Sequence, residues 1–291
     1  MSVLYVILAA VIQGITEFLP VSSFGHTETL AKLFGISRDT GLLLETMLHL
    51  GTAGAVVFLF KKDLKRVCLE IAGMVMDIIG NVHLYIHNKR TGEELHYTRI
   101  VSGTYRRFAA LLLLSVLPTA LLGFSARRLV EMTAVSQIAP GIGFLISGIF
   151  LLVTDLNNTG GQKGPKDAEY NSAMWIGISQ GLAVFPGVSR MGITICTALF
   201  CGFSRKFAVR YSIFMSLPAF VGAFLAEAGQ FAGSGMSVGT GFTYFLGMII
   251  AGLVGCLAIR FVTDLVQHVK MRYFAYYSFL IGAVALAVNY L

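Results

Sequence analysis

Apolar residues dominate this chain in long runs, and its polar residues fall into two groups: those that separate the runs and those that break them from within. A helix needs about 20 largely apolar residues to cross a bilayer. Residues 42–60, 108–124, 141–154, 207–226, 243–259 and 274–290 fit that pattern, the third by borrowing flanking residues. Two further apolar regions do not read as simple spans. Residues 3–34 are too long for one helix and break at Pro20, and residues 173–203 break at Pro186-Gly187. Proline removes a backbone donor and clashes with the preceding turn. Each region therefore predicts two short helices meeting at a turn, a re-entrant hairpin that enters and leaves by the same side. Such backbone persists at membrane depth only when protein covers it or it lines a wet cavity.

The two broken regions are altered copies of each other. QGITEFLPVSSFGH at 13–26 is answered by QGLAVFPGVSRMGIT at 180–194, each opening on Gln-Gly and each with a Ser three residues beyond its Pro, Ser23 and Ser189. Gly-Ile-Ser-Arg at 35–38 is likewise answered by Gly-Phe-Ser-Arg at 202–205. The layout is a hairpin plus three spans, then the same again. The expected fold is an all-α polytopic membrane protein with an inverted-topology repeat, each half a re-entrant helical hairpin plus three transmembrane helices. It forms a single integral membrane domain: residues 1–156 are the first repeat, with a cytoplasmic loop at 61–107; 157–171 are a linker; 172–291 are the inverted second repeat. Three spans per half is an odd number, so the second half sits upside down and the two hairpin tips meet near the midplane. Paired broken helices of this kind point to a buried site.

Composition agrees. Of 291 residues 56% are hydrophobic and 13% charged, where soluble domains carry about 25% charged residues, so the outer surface must face lipid. The net charge of +7 is a matter of loop placement rather than a nucleic-acid signal. Lys61, Lys62, Lys65, Arg66, Lys89, Arg90, Arg99, Arg106 and Arg107 place the 61–107 loop in the cytoplasm, and the layout then puts Lys163, Lys166, Arg205, Lys206, Arg210, Arg260, Lys270 and Arg272 on the same side. Only Lys32, Arg38, Arg127 and Arg128 fall outside. Within the loop, the least regular part of the chain, residues 67–86 are apolar enough to lie on the membrane surface with Glu70 and Asp77 facing water. A seventh span there would flip everything after it and spoil the charge count. The four cysteines have neither metal-ligand nor disulfide spacing. The N-terminus lacks a basic leader and a cleavage site and reads as mature structure. A multi-pass protein of the cell membrane follows.

The candidate chemistry sits at the breaks. Glu17 lies one helical turn after Gln13, on the same face, and an intramembrane acid is costly enough to suggest function. Its open roles are general base, metal ligand or orienter of a neighbour. Ser22, Ser23 and His26 follow the break; one serine suits the N-cap of the returning helix, and the histidine shares a face with both. Arg190, at the tip of the second hairpin, offers a planar fork matched to phosphate or carboxylate. Gly187 lets backbone approach a ligand, Ser189 and Thr194 add hydroxyls, and two half-helix N-termini would point N–H groups at the same spot. The whole suits an anion, phosphate first. Glu45 and His49, four residues apart on the first span, would support the site from one layer out. A hydrolase and an alternating-access transporter or flippase of an anionic lipid phosphate both fit such breaks; only the hydrolase needs a nucleophile.

Laid out this way, the chain resembles the bacterial undecaprenyl-diphosphatase family, the bacitracin-resistance proteins of cell-wall synthesis. Gln13, Glu17, Phe18, Leu19, Pro20, Val21, Ser22, Ser23, Gly25 and His26 match its first motif; Pro186, Gly187, Ser189, Arg190 and Thr194 match its second; the run YSIFMSLP at 211–218 resembles a third. The resemblance implies hydrolysis of undecaprenyl diphosphate to the monophosphate and phosphate at a site open to the outer face. Glu17, Ser23, His26 and Arg190 would be central. A divalent cation, Mg2+ or Ca2+, is its candidate cofactor, with Glu17 the candidate ligand. The partners it implies are the polyprenyl diphosphate and the bilayer. Met191 stands where Ser is usual, His49 where Gln is common, and the 61–107 loop is long.

Overall fold

Both proline-broken regions fold as helix, turn, helix. The computed structural model describes residues 2–36, 43–126, 132, 136, 138–157, 160–233 and 237–288. Arg38, Leu42, Arg127, Arg128 and Tyr290, which enter the reading above, lie outside the described residues. Among the described residues the regular elements are eleven helices, with one isolated pairing of Lys163 and Phe203. Helix α1 (Val3–Thr16) stops at Glu17 and α2 (Ser23–Leu33) returns from the break. In the second half, α7 (Tyr170–Leu182) stops at Ala183 and α8 (Arg190–Phe200) returns.

The helix starts correct one detail of the repeat. Val3 and Tyr170 open the first helices, Ser23 and Arg190 the second, and both pairs lie 167 positions apart. The same spacing joins Gln13 to Gln180, Gly25 to Gly192 and Gly35 to Gly202. The N-cap serines are therefore Ser22 and Ser189, whose hydroxyls accept from the backbone N–H of Gly25 and Gly192 at 3.2 and 3.0 Å. Counting from the prolines pairs Ser23 with Ser189 and is off by one, because Pro20 corresponds to Gly187 rather than to Pro186. In the structural register Ser23 corresponds to Arg190, both at the first position of a returning helix.

The other helices are α3 (Leu43–Leu59), α4 (Lys61–Thr91), α5 (Thr104–Ser125), α6 (Ala139–Leu156), α9 (Arg205–Gly233), α10 (Val238–His268) and α11 (Met271–Ala287). By length and composition α4, α5, α6, α9 and α10 can cross a membrane. With 17 residues each, α3 and α11 reach about 25 Å at 1.5 Å per residue, the short end of the spanning range. Large apolar side chains such as Leu121, Leu257 and Leu225 point outward along these helices, as lipid-facing surface requires. The hairpins pack across the halves: α1 lies against α10 and α7 against α5, while α6 pairs with α11 and α3 packs mainly on α10 and also on α9.

The 61–107 segment is more regular than its composition suggested. Helix α4 runs unbroken for 31 residues and ends on Gly92 in the left-handed conformation at φ 77°. Glu70 and Asp77 remain partly exposed, as a surface helix requires, but they are not free. Both turn to Arg106 in the first turn of α5, Glu70 at 3.2 Å from its Nε, because a cation beside an apolar surface draws in the nearest carboxylates. Asn81 and Asn88, two turns apart, then hold the returning strand of chain. Each side-chain amide donates to a carbonyl and accepts an N–H, at Thr98 and Leu95 respectively.

Candidate active site

The two breaks meet. A Cβ placed on Gly25 would lie 3.2 Å from the Gly187 Cα, and one on Gly192 would lie 3.3 Å from the Pro20 carbonyl oxygen. These are matching contacts in the structural register, each helix start touching the other hairpin's tip. Gly187 takes φ 83° and its backbone nests against that of Pro140 on α6. The Ser189 N–H donates to the Ser147 hydroxyl on the same helix at 2.7 Å.

Glu17 is the centre of the arrangement. It is 4% exposed, and four side chains from four elements converge on it. Gln13 donates its amide N–H to Oε2 at 2.6 Å, one turn earlier on α1. The Ser23 hydroxyl donates to Oε2 at 2.6 Å. The Arg190 guanidinium forms an ion pair with Oε1 through Nη2. His49 Nε2 stands 3.3 Å from Oε2. A buried carboxylate needs this degree of pairing to stay charged. The two first positions of the returning helices, Ser23 and Arg190, thus take one carboxylate oxygen each.

The geometry also sorts the remaining candidates. A cavity of about 530 Å³ opens beside Glu17, lined by Ser22, Ser23, Glu45, His49, Ser189 and Arg190, with an apolar wall that includes Val116, Ala120, Phe124, Phe220 and Ala223. Arg190 Nη1 is buried with no hydrogen-bond partner, and its guanidinium lies over the Phe220 ring, 4.5 Å from the centroid. Gly187 and Thr194 do not line the cavity. Gly187 shapes the tip, and the Thr194 hydroxyl donates back to the Arg190 carbonyl at 2.9 Å. Gln13 holds Glu17 from behind. His49 touches Glu17 directly, and its Nδ1 donates to the Glu45 main-chain carbonyl at 2.8 Å; the Glu45 carboxylate instead accepts from the Thr27 hydroxyl at 2.8 Å.

His26 faces away from this cavity. Its Nδ1 lies 2.6 Å from the Ser22 carbonyl oxygen and its Nε2 2.7 Å from the Tyr277 hydroxyl on α11. Its ring meets Phe144 edge-on and stacks on Tyr277. Ser22 takes φ 60°, the one positive φ outside glycine among the described residues. Such a conformation costs about 1–3 kcal/mol and persists only where its surroundings hold it.

Sequence reasoning missed Tyr277, Phe220 and Ser147. Each sits in a span whose pattern marks it as packing; only the preceding Pro218, inside α9, hinted that Phe220 lies near a helix irregularity. A cation does not suit Glu17 as arranged. Both its oxygens already accept from Gln13, Ser23 and Arg190, and a guanidinium and an imidazole adjoin them. Among the described residues no group of three or more His, Cys, Asp or Glu side chains is placed to hold a metal.

Comparison with known proteins gives a consistent result. The family described as bacitracin resistance protein BacA matches residues 6–284. Similar relatives, each described as an undecaprenyl-diphosphatase, include those of Alkaliphilus metalliredigens (32% identical, covering 98% of both chains), Methanosphaera stadtmanae (32% identical, 99% of both) and Desulfosudis oleivorans (34% identical, 97% of both).

Proposed function

The chain belongs to the BacA family of bacitracin resistance proteins and is a multi-pass membrane hydrolase that releases phosphate from undecaprenyl diphosphate; from that premise we propose that the reaction takes place at Glu17, Ser23 and Arg190, where the two breaks meet. The observation that carries the assignment is the divided guanidinium of Arg190. One arm is paired with Glu17 while Nη1 is buried without a partner. An unmatched buried donor on a cation is costly, and a phosphoryl oxygen in the cavity would satisfy it. The apolar wall gives the prenyl chain a path toward lipid. The transporter reading gains nothing from this geometry, since it assigns no task to a serine hydroxyl donating to a buried carboxylate.

Phosphoryl transfer depends mainly on positioning and charge stabilisation. Arg190 Nη1 holds the terminal phosphoryl group while Nη2 keeps Glu17 in place. Ser23 Oγ attacks the terminal phosphorus as its proton passes to Glu17 Oε2. The bond from phosphorus to the bridging oxygen breaks, and undecaprenyl phosphate leaves with the electron pair. Water then attacks the phosphoserine, Ser23 Oγ departs and recovers the proton from Glu17, and phosphate leaves carrying the water oxygen and its protons. His49 fixes the Glu17 carboxylate from the α3 side, and His26 supports the turn that presents Ser23. The reading also takes the two halves as inverted, so that the hairpins enter from opposite faces and meet within the bilayer.

Phosphate release from a C55 lipid diphosphate by purified Arg190→Ala protein in detergent tests the assignment. Removing one charge-stabilising donor from such a site costs on the order of 100- to 1,000-fold in turnover. A folded variant with turnover near that of the parent removes Arg190 from the mechanism.

A further inference from the structure

The ring nitrogens of His26 can be assigned by their partners. A main-chain carbonyl only accepts, so the Nδ1 atom 2.6 Å from the Ser22 oxygen carries the ring proton. In the neutral ring Nε2 is then a bare lone pair, and the Tyr277 hydroxyl 2.7 Å away donates to it. A tautomer is set by the hydrogen bond that the other nitrogen makes. The Ser22 carbonyl thus sets the tautomer, and Tyr277, donating to the Nε2 lone pair, anchors the ring in the orientation that clamps Ser22. The clamp matters because Ser22 is held at φ 60° and ψ 99°, and the next residue is Ser23, whose hydroxyl meets Glu17 at 2.6 Å. Nothing else about Tyr277 requires a hydroxyl. It is 42% exposed on a helix that also shows Tyr273 and Tyr276 outward, and a span-end tyrosine of the interfacial belt would not need to reach a histidine on another element.

We propose that Tyr277 is a positioning residue for the phosphatase reaction: its hydroxyl anchors the His26 ring that clamps the Ser22 carbonyl, and the clamp aims Ser23 at Glu17. The chain of contact runs from the last helix, α11, to the first break and ends at the attacking oxygen. It rests on the reading of Ser23 given above and predicts an effect on turnover rather than on substrate capture, because Tyr277 does not line the cavity.

The test is the Tyr277→Phe variant, which keeps the stacked ring and removes only the hydroxyl. Loss of one hydrogen bond in the clamp is expected to lower kcat roughly 10-fold, with KM for the lipid diphosphate unchanged. Nitrogen-15 spectra of histidine-labelled protein in detergent, with the His26 signals assigned through a His26→Gln variant, should show a protonated Nδ1 and bare Nε2 in the parent, and an Nε2 resonance shifted by loss of its hydrogen-bond donor in Tyr277→Phe. The spectra report on folded protein, so a loss of activity through misfolding is recognised. Tyr276→Phe, altering an outward-facing neighbour, should match the parent in both measurements. An unchanged kcat in folded Tyr277→Phe overturns the proposal. A fully active Ser23→Ala variant would instead remove the reading beneath it, so the two failures are distinguishable.

Discussion

At the residue scale, the site is built around one carboxylate whose partners are all donors. Glu17 is buried and accepts from Gln13 and Ser23 while paired with Arg190, so replacing it isosterically with an amide tests charge and proton acceptance rather than shape. Glu17→Gln removes the acceptor for the Ser23 proton and leaves Arg190 without its counter-ion. General base catalysis is worth about 100- to 10,000-fold, and a loss in that range is expected in phosphate release under saturating substrate; a variant within about threefold of the parent would be incompatible with the role assigned to Glu17. The two histidines show why residue type alone does not place a group. His26 lies in the motif and His49 outside it, yet His49 is the one beside Glu17. A helix start turned by the +60° φ of Ser22 points the next face elsewhere, and no local spacing rule reveals that turn.

At the element scale, the breaks were legible because proline and glycine have fixed backbone consequences, and the helix register was not. Ser-x-x-Gly at both helix starts was available as a capping signal, but the prolines drew the alignment to the wrong offset. Gly187 explains the difference, since its positive φ supplies in the second hairpin a turn that the first makes at Ser22. A Cβ on Gly187 would lie 2.1 Å from the Pro140 carbonyl oxygen, and its φ disfavours any L side chain. Gly187→Ala is therefore expected to cost more than about 1 kcal/mol, seen as a lower thermal midpoint in detergent, whereas Gly160→Ala, which meets nothing within 4 Å, should leave the midpoint unchanged. Equal midpoints would mean that the tip does not depend on this approach. The strap that returns along α4 makes a separate prediction. Replacing both Asn81 and Asn88 with alanine removes its four side-chain clamps and should speed proteolysis within 92–103, measured as the nicking rate in detergent. Phosphate release should persist, because neither asparagine lines the cavity. Unaltered nicking would show that the strap is held by something other than these amides.

At the scale of the whole molecule, basic side chains tie together the connections that the charge count assigned to one side. Arg107 donates to the Ala168 carbonyl, Arg205 to the Val269 carbonyl, and Arg210 pairs with Asp63. Arg272 pairs with Asp155, and Lys163 pairs with Glu169 at 2.8 Å beside the bridge to Phe203. Segments near 63, 107, 155–157, 160–169, 203–210 and 269–272 thus share one end of the helix bundle, and most contribute lysine or arginine to it. This much was readable from loop charge alone, because the positive-inside bias acts on loops and not on the site. The inversion of the two halves makes a stricter demand: the turn before α10 must lie on the far side from that end. Single cysteines at Lys166 and Ser237, in a background with Cys68, Cys196, Cys201 and Cys256 replaced, test it with a membrane-impermeant maleimide. Ser237→Cys should react in intact cells, and Lys166→Cys only in inside-out vesicles. Labelling of both from the same face would mean that α9 does not cross the bilayer, and the second half could not then be the three-span inverted copy that the opposed hairpins require.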